Sequence, residues 1–260
     1  MKLAISGKGG VGKSTLAAVL TLLLTRKGVK VLALDADPDA NLAGALGISP
    51  EEQQTIIPIA KQTQLIEERT GAQVRRYGQM FKLNPTVDDI ADSYGFNKDG
   101  YSLLVLGAVE QGGGGCGCPE GVLIRALVSD MVLRKSEALI MDMEAGVEHL
   151  GRSTARGVDC MVIVVEPGQR SVDCAKRIIR MAHEIGLSNL KMVANKIASA
   201  EEEMFIRQAL PELPLLGVIP FDKAFGEADR KGCSPLELLS PKLEAAFTSI
   251  LTRIEEGVIA

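Results

Sequence analysis

The sequence has no tryptophan, only 3% aromatic residues, two histidines and no long apolar run. A nucleic-acid-binding chain usually shows a basic face and aromatic side chains for stacking, whereas this chain carries a formal net charge of −4. The longest apolar stretch, around Leu16–Leu24, is far shorter than the roughly 18–20 residues needed to cross a bilayer. We therefore expect neither a nucleic-acid partner nor a membrane partner.

The composition is that of a globular chain: 260 residues, 46% hydrophobic and 24% charged. These values exclude disordered, collagenous and disulfide-scaffold proteins. The start of the chain, Met1–Ser6, lacks the apolar region and cleavage site of a signal peptide, which predicts a cytoplasmic protein. In that reducing compartment the five cysteines are expected to be buried, metal-binding or reactive rather than paired in disulfides.

Short apolar runs alternate with amphipathic stretches, which is typical of βαβ units in a sheet buried on both faces. We therefore predict one α/β domain over residues 1–260, with a mostly parallel, doubly wound sheet flanked by helices. The predicted strands are Lys2–Ser6, Val29–Asp35, Leu103–Leu106, Ala138–Asp142, Met161–Val165, Lys191–Asn195 and Leu215–Ile219. The predicted helices are Lys13–Lys27, Val122–Lys135, Ser171–Ile185, Glu201–Leu210 and Pro241–Glu256, with caps at Ser171 and Ser240.

The stretch from Asp35 to Asp142 is too long for a single crossover, which predicts a functional insert at about 45–135. Within it we expect a helical region at Ile48–Thr70 and an edge strand at Met80–Leu83. No internal repeat or linker is visible in the sequence, so one domain is the economical interpretation.

The strongest motif, Gly7-Lys8-Gly9-Gly10-Val11-Gly12-Lys13-Ser14-Thr15, follows a predicted strand and opens a predicted helix. This is the phosphate-loop pattern in its required context, where glycines let the backbone surround phosphates and the helix N-terminus offers free N–H groups. Lys13 is expected to reach the β- and γ-phosphates, and Ser14 to bind Mg²⁺. The candidate nucleotide ligands in this motif are Gly9, Gly10, Val11, Gly12, Lys13, Ser14 and Thr15.

Lys8 gives the loop a second lysine near its start, and in this it resembles the MinD/ParA/nitrogenase-reductase group of ATPases. The resemblance implies that Lys8 is catalytic and reaches the nucleotide of a partner chain. ATP binding and homodimerisation would then be coupled.

Two further strand ends carry carboxylates, and such ends face the ligand crevice of a parallel sheet. The first is Asp35-Ala36-Asp37-Pro38-Asp39-Ala40-Asn41. The family resemblance implies that Asp37 orients the attacking water, that Asp35 supports the Mg²⁺ shell and that Asp37 and Asn41 belong to a switch. An acidic cap and turn at Asp37–Asp39 is the alternative.

The second strand end, Asp142, matches the Walker B position and is expected to act on Mg²⁺ directly or through water. Gly146, a few residues on, matches the family's second switch, whose backbone responds to the γ-phosphate. Asn195, Lys196 and Pro220 follow two other predicted strands, where this family holds adenine. Asn195 is a candidate for the base edge and Pro220 for a backbone contact, although asparagine after a strand is also a common turn residue.

A glycine run, Gly112–Gly115, precedes Cys116-Gly117-Cys118. Thiols this close do not readily form a relaxed disulfide, but both can face one soft metal ion. A tetrahedral site needs four ligands, so a symmetric dimer would complete a Cys₄ site on its two-fold axis. Incidental loop thiols are the alternative. The remaining cysteines and histidines are expected to be structural: Cys160 and Cys174 buried, Cys233 with burial favoured, His183 structural or on the surface, and His149 at a helix start.

Together, the phosphate loop, the Asp-Ala-Asp-Pro segment, the stretch 142–150 and the Cys-x-Cys closely resemble CooC-type ATPases, over nearly the whole chain. The resemblance implies a dimeric, Mg²⁺-dependent ATPase whose Cys116 and Cys118 bind Ni²⁺, or Zn²⁺ in its place. Its ATP/ADP cycle would deliver metal to carbon monoxide dehydrogenase or acetyl-CoA synthase.

Three alternatives remain from related ATPases. An iron–sulfur electron-transfer ATPase like nitrogenase reductase would have a second cysteine just after Walker B, where this chain has none. The second alternative is a MinD- or ParA-like positioning ATPase. A MinD relative would end in a basic amphipathic helix, whereas 243–260 is acidic. An iron–sulfur scaffold ATPase would carry Cys-x-x-Cys near its C-terminus.

Overall fold

The computed structural model describes residues 1–74, 76, 78–108, 119–134, 138–147 and 150–259. Within these ranges the chain forms one eight-stranded sheet. Its strands are β1 (Lys2–Gly7), β2 (Val31–Ala36), β3 (Phe96–Lys98), β4 (Tyr101–Val105), β5 (Ala138–Met143), β6 (Cys160–Val165), β7 (Leu190–Ile197) and β8 (Leu215–Pro220).

The strand order is β3-β4-β2-β5-β1-β6-β7-β8, and all pairs are parallel except the antiparallel pair β3–β4. β1 lies between β5 and β6, so the loop that follows β1 stands at the middle of the sheet's carboxyl edge. This confirms the predicted single α/β domain with a doubly wound, mostly parallel sheet.

Helices cover both faces of the sheet. They are α1 (Lys13–Arg26), α2 (Leu42–Ala45), α3 (Pro50–Gln53), α4 (Thr63–Thr70), α5 (Ile90–Tyr94), α6 (Pro119–Arg134), α7 (Arg152–Ala155), α8 (Gln169–Glu184), α9 (Ala200–Ala209), α10 (Lys223–Lys231) and α11 (Pro241–Ile259), with 3₁₀ turns at Ile59–Lys61 and Pro235–Glu237. α1 and α11 contribute to the core on one face, and α4, α6, α8 and α9 to the core on the other. Every residue of β2, β5 and β6 is buried, because side chains that alternate between the two faces meet helices on each.

All seven predicted strands are present, with ends shifted by a few residues, but the predicted edge strand at Met80–Leu83 is wrong. That segment has no regular structure, and Met80 and Leu83 are 96% and 70% exposed. The edge strand beside β4 is β3 instead, and β8 forms the other edge. β3 reverses into β4 through Asp99-Gly100, whose φ angles of 45° and 92° suit the tight hairpin that an Asp-Gly pair favours.

The five predicted helices are also present, with corrections to their caps and their number. Ser171 is not a cap: α8 begins two residues earlier, and the Ser171 hydroxyl accepts a bond from the Glu166 N–H at 3.1 Å. Ser240 behaves as predicted, accepting a bond from the Leu243 N–H at 3.3 Å. The region Ile48–Thr70 is divided into α3, a 3₁₀ turn and α4, and α10 was not predicted. Among the described helices, none has the length and apolar character to cross a membrane.

Candidate functional site

The loop Gly7–Thr15 joins β1 to α1, as predicted, and two of its glycines, Gly7 and Gly12, leave no room for a side chain. A Cβ on Gly7 would lie 2.5 Å from the Val164 carbonyl oxygen, and one on Gly12 would lie 2.4 Å from Asn195 Nδ2. Gly12 also has φ of +99° and precedes α1 without any side-chain cap on the helix. The first N–H groups of α1 are therefore left for an anion, which the helix dipole also favours.

Lys13, the first residue of α1, points toward the loop after β2. Its Nζ lies 3.4 Å from Asp37 Oδ2, and the Lys13 side chain is only 6% exposed. The second Asp37 oxygen accepts a bond from the Asp39 N–H at 3.1 Å, which fixes the carboxylate at the start of the turn. A buried lysine needs a counter-ion, and here the carboxylate supplies one where a phosphate would also fit.

Asp35 holds that same loop in place from inside the sheet. Its two carboxylate oxygens accept bonds from the Asp37 N–H at 3.2 Å and the Leu42 N–H at 2.9 Å. Burial and the nearby charge of Asp142 raise the pKa of Asp35 to about 7, even though the two N–H donors act to lower it. Both oxygens are thus engaged with backbone, so Asp35 acts on the loop rather than presenting a free oxygen to the cleft.

Asp142 stands opposite Asp35 in the register of β2 and β5, but its environment differs. Both Asp142 oxygens are buried without a hydrogen-bond partner among the residues that the structure describes. Burial raises the pKa of this carboxyl to about 6; the nearby Ser14 hydroxyl and the Lys13 charge oppose the rise. An unpartnered buried carboxylate beside a serine hydroxyl is a donor set that suits a hard divalent cation such as Mg²⁺.

Sequence reasoning missed Glu166, which follows β6 directly. Its Oε1 accepts a bond from Lys8 Nζ at 2.9 Å, and its Oε2 one from Lys196 Nζ at 3.0 Å. Lys196 Nζ also donates to the Gly10 carbonyl at 2.6 Å, so the cluster reaches the phosphate loop itself. Partial burial acts to raise the pKa of Glu166, but the bonds from the two lysines outweigh it and hold the pKa below its usual value.

Asn195 lies near the end of β7, beside the same loop. Its Nδ2 donates to the Val11 carbonyl at 2.7 Å, and its Oδ1 accepts from the Lys196 N–H at 2.9 Å. The side chain therefore anchors the loop, and one amide hydrogen and one lone pair stay available for a ligand.

Two cavities open at the phosphate loop and share Gly10, Gly12, Thr15 and Phe225. The first, of about 420 Å³, is lined mainly by apolar groups and by Asn195, Lys196 and Pro220. The second, of about 480 Å³, is lined by Lys13, Ser14, Asp37 and Asn41 among others. One apolar compartment beside one charged compartment matches the base and phosphates of a nucleotide.

The remaining predicted residues are placed as follows. The Ser6 hydroxyl donates to the Glu144 carbonyl at 2.7 Å and to the Gly146 carbonyl at 3.2 Å, so the segment predicted to be the second switch contacts β1. Cys160 and Cys174 are buried, as predicted. Cys233 is only half-buried, contrary to prediction, because the turn that ends α10 at Gly232 leaves it lining the second cavity. His183 is exposed near the end of α8.

Cys116, Cys118 and His149 lie outside the residues that the structure describes. Across the described part of the chain, no group of three or more His, Cys, Asp or Glu side chains could hold a metal ion. The structure does place the start of α6 at Pro119, directly after Cys118.

The fold and the phosphate loop define a P-loop ATPase. The family model for the CobQ/CobB/MinD/ParA nucleotide-binding domain matches residues 2–236. The carbon monoxide dehydrogenase accessory protein CooC of Rhodospirillum rubrum is 44% identical over 98% of this chain and 97% of its own length. This chain belongs to the CobQ/CobB/MinD/ParA nucleotide-binding family and, within it, to the CooC type.

Other relatives agree with this assignment. An uncharacterized ATP-binding protein of Methanocaldococcus jannaschii is 41% identical over 96% of this chain and 98% of its own. Among solved structures, a ParA-family ATPase of Chlorobium tepidum has a TM-score of 0.69 at 20% identity, covering 98% of this chain and 97% of its own. The septum site-determining protein MinD of Pyrococcus horikoshii, with Mg-ADP, has a TM-score of 0.66 at 20% identity, covering 98% and 96%. At these identities the two structures show the shared fold.

Proposed function

We propose that this chain is a dimeric ATPase that supplies nickel to carbon monoxide dehydrogenase or acetyl-CoA synthase during their maturation. The observation that carries the proposal is the 44% identity, along almost the whole of both chains, to a carbon monoxide dehydrogenase accessory protein. In this proposal nickel is the cargo, zinc is its substitute, and ATP hydrolysis changes how tightly the cargo is held.

The phosphates of ATP would lie on the loop Gly9–Thr15, against the free N–H groups at the start of α1. Lys13 would exchange Asp37 for a phosphate, since the two partners compete for the same ammonium group. Asp37, released from Lys13, would orient the attacking water. Lys8 is the second catalytic lysine, and phosphoryl transfer depends mostly on such positioning and charge neutralisation.

The residues that would hold Mg²⁺ are Asp142 and Ser14, with Asp35 supporting them through the loop it anchors. The unpartnered oxygens of Asp142 fit this role. The bound ion would neutralise charge on the phosphates during transfer. The base would enter the apolar cavity, where Asn195 and Pro220 contact its edge and Lys196 lies at the rim.

The metal site would be formed by Cys116 and Cys118 of two chains, four thiolates in total. α6 begins directly after this pair and leads toward β5, the strand that carries Asp142. Nucleotide-driven movement of the switches at Asn41 and Gly146 would reach the cysteines along this helix. Delivery requires that the ATP and ADP states bind the metal with different affinities.

The position of α11 favours this function over a MinD-like membrane switch. Its apolar residues Leu243, Phe247 and Ile250 are buried in the core, and Glu244 and Glu255 pair with Arg26 of α1 and with Lys27, which follows it. The described part of α11 therefore has its apolar face already occupied.

The test is activation of nickel-free carbon monoxide dehydrogenase, and separately of nickel-free acetyl-CoA synthase, with limiting NiCl₂ and ATP. We expect the wild-type chain to raise the activity of one of these two enzymes, and to do so only in the presence of ATP. Lys13→Ala serves as the control, because it removes the phosphate-binding ammonium. If neither client gains activity beyond that control, the proposal is wrong.

A further inference from the structure

Lys8, Glu166 and Lys196 form a cluster of two ion pairs that share the Glu166 carboxylate. The Glu166 carboxylate is 22% exposed and uses one oxygen for each lysine, at 2.9 Å and 3.0 Å. The three residues come from the ends of β1, β6 and β7, which are neighbours in the sheet. Glu166 is itself fixed, because its N–H donates to the buried hydroxyl of Ser171 in α8.

Lys196 connects the cluster to the phosphate loop at a conformational cost. It has φ of +59°, in the left-handed region that residues other than glycine rarely adopt. Its N–H bond to Asn195 and its Nζ bonds to Gly10 and Glu166 hold it in that conformation. Strained residues of this kind persist only where their surroundings fix them, and they concentrate at functional sites.

The charge balance of the cluster changes when a nucleotide arrives. Without one, a single carboxylate pairs with two ammonium groups beside the phosphate loop, so the cluster keeps one net positive charge. A nucleotide brings several negative charges to the same loop, where its phosphates and Glu166 compete for Lys8 and Lys196. Glu166 also repels the phosphates directly, because it carries charge of the same sign.

We propose that Glu166 is a positioning residue that restrains Lys8 within its own protomer until a nucleotide displaces the Glu166 carboxylate. Through this competition Glu166 weakens nucleotide binding. The inference deepens the proposed function, because it rests on the nucleotide site placed at the loop Gly9–Thr15. It assigns to Glu166 a regulatory role at the site that the two lysines serve.

The test compares Mg·ADP and Mg·AMP-PNP affinities of wild type and Glu166→Gln by calorimetry at low salt. We expect Glu166→Gln to bind both nucleotides about five- to tenfold more tightly, because the variant lacks the carboxylate that competes with phosphate for the two ammonium groups. Glu166→Asp keeps the charge but is one methylene too short to bridge both lysines, so we expect a smaller gain of about two- to threefold.

The matched control is Glu255→Gln. It removes one carboxylate from an ion pair of similar length, Lys27–Glu255 at 2.7 Å, at the far end of α1. Its nucleotide affinity should stay within about twofold of wild type, since that end lies roughly 20 Å from the phosphate loop.

The double variant Lys8→Gln/Lys196→Gln distinguishes competition for the two lysines from a general structural effect of Glu166→Gln. There, adding Glu166→Gln should change affinity less than about twofold, because the lysines it restrains are gone. The same five- to tenfold change in that background, or no gain in the single variant, overturns the inference. If wild type binds nucleotide in the same titrations, the nucleotide site is present even where the inference on Glu166 fails. The titrations do not test the proposed nickel function.

Discussion

Lys13 Nζ lies 3.4 Å from Asp37 Oδ2, which joins the loop after β1 to the loop after β2 across the candidate phosphate cavity. The lysine is almost fully buried, so the carboxylate is its charge partner while no phosphate is bound. A phosphate in the cavity would take over that ammonium group and leave Asp37 free beside the reacting atoms. The pair thus links occupancy of the cavity to the position of the proposed water-orienting group.

The first prediction concerns Asp37→Asn. The amide removes the charge that competes with phosphate for Lys13, so Mg·ADP should bind at least as tightly as in wild type. ATP hydrolysis should fall by about 100-fold or more, because the amide cannot accept a proton from the attacking water. Single-turnover hydrolysis and calorimetry measure the two quantities. Weaker ADP binding, or a rate close to wild type, would show that Asp37 serves only as a structural turn.

The second prediction concerns Asp142→Asn and pH. The folded-state pKa of Asp142 is raised from 3.8 to about 6, so the protonated form is favoured in the folded protein. Its contribution to stability is therefore fully present below about pH 4 and lost as pH rises through 6. Without nucleotide and metal, Asp142→Asn should be more stable than wild type at pH 7.5, by about 3 kcal/mol or roughly 5–10 °C in Tm.

At pH 4 the Tm difference should vanish, because the wild-type carboxyl is then largely protonated in the folded state and close to its titration midpoint in the unfolded chain. Differential scanning calorimetry across pH 4–8 gives the comparison, and Asp88→Asn is the control for removing an exposed carboxylate. The stabilised variant should nevertheless lose Mg²⁺-dependent hydrolysis, since it lacks the proposed metal ligand. A lower Tm at pH 7.5 would contradict the account of an unpartnered buried carboxylate.

The sequence was informative where a signal is local. The phosphate loop is a contiguous motif, and the buried strands are apolar runs, so Lys13, Asp35 and Asp142 could be assigned to the carboxyl edge of the sheet from the amino-acid pattern alone. Glu166 could not, because its role depends on a contact with Lys8 across 158 residues of chain. Only the pairing of β1 with β6 brings the two together.

The segment 45–135, predicted to be an insert, shows where local patterns were insufficient. Ile48–Thr70 looked like one helical region, but Pro50 and Pro58 divide it, and a proline starts a helix more easily than it continues one. The edge strand β3 has three residues, too few for a periodic pattern. Its one usable signal was Asp99-Gly100, the turn that joins it to β4.

The third prediction concerns Asn195→Ala. Losing the 2.7 Å bond to the Val11 carbonyl should loosen the phosphate loop and weaken binding of any nucleotide by about tenfold. If the remaining amide hydrogen and lone pair contact adenine, ADP binding should weaken more than GDP binding. Competition titrations with the two diphosphates measure this. Equal losses would restrict Asn195 to anchoring the loop.

The most direct measurement for the proposed function is a nickel titration of wild type and Cys116→Ala/Cys118→Ala, with the mass of the particle determined in the nucleotide-free, ADP and AMP-PNP states. The account predicts one nickel per wild-type dimer, an affinity that changes with the nucleotide, and loss of that nickel in the variant. If the variant binds one nickel per dimer with wild-type affinity, the two cysteines are not the cargo site and the central claim is wrong.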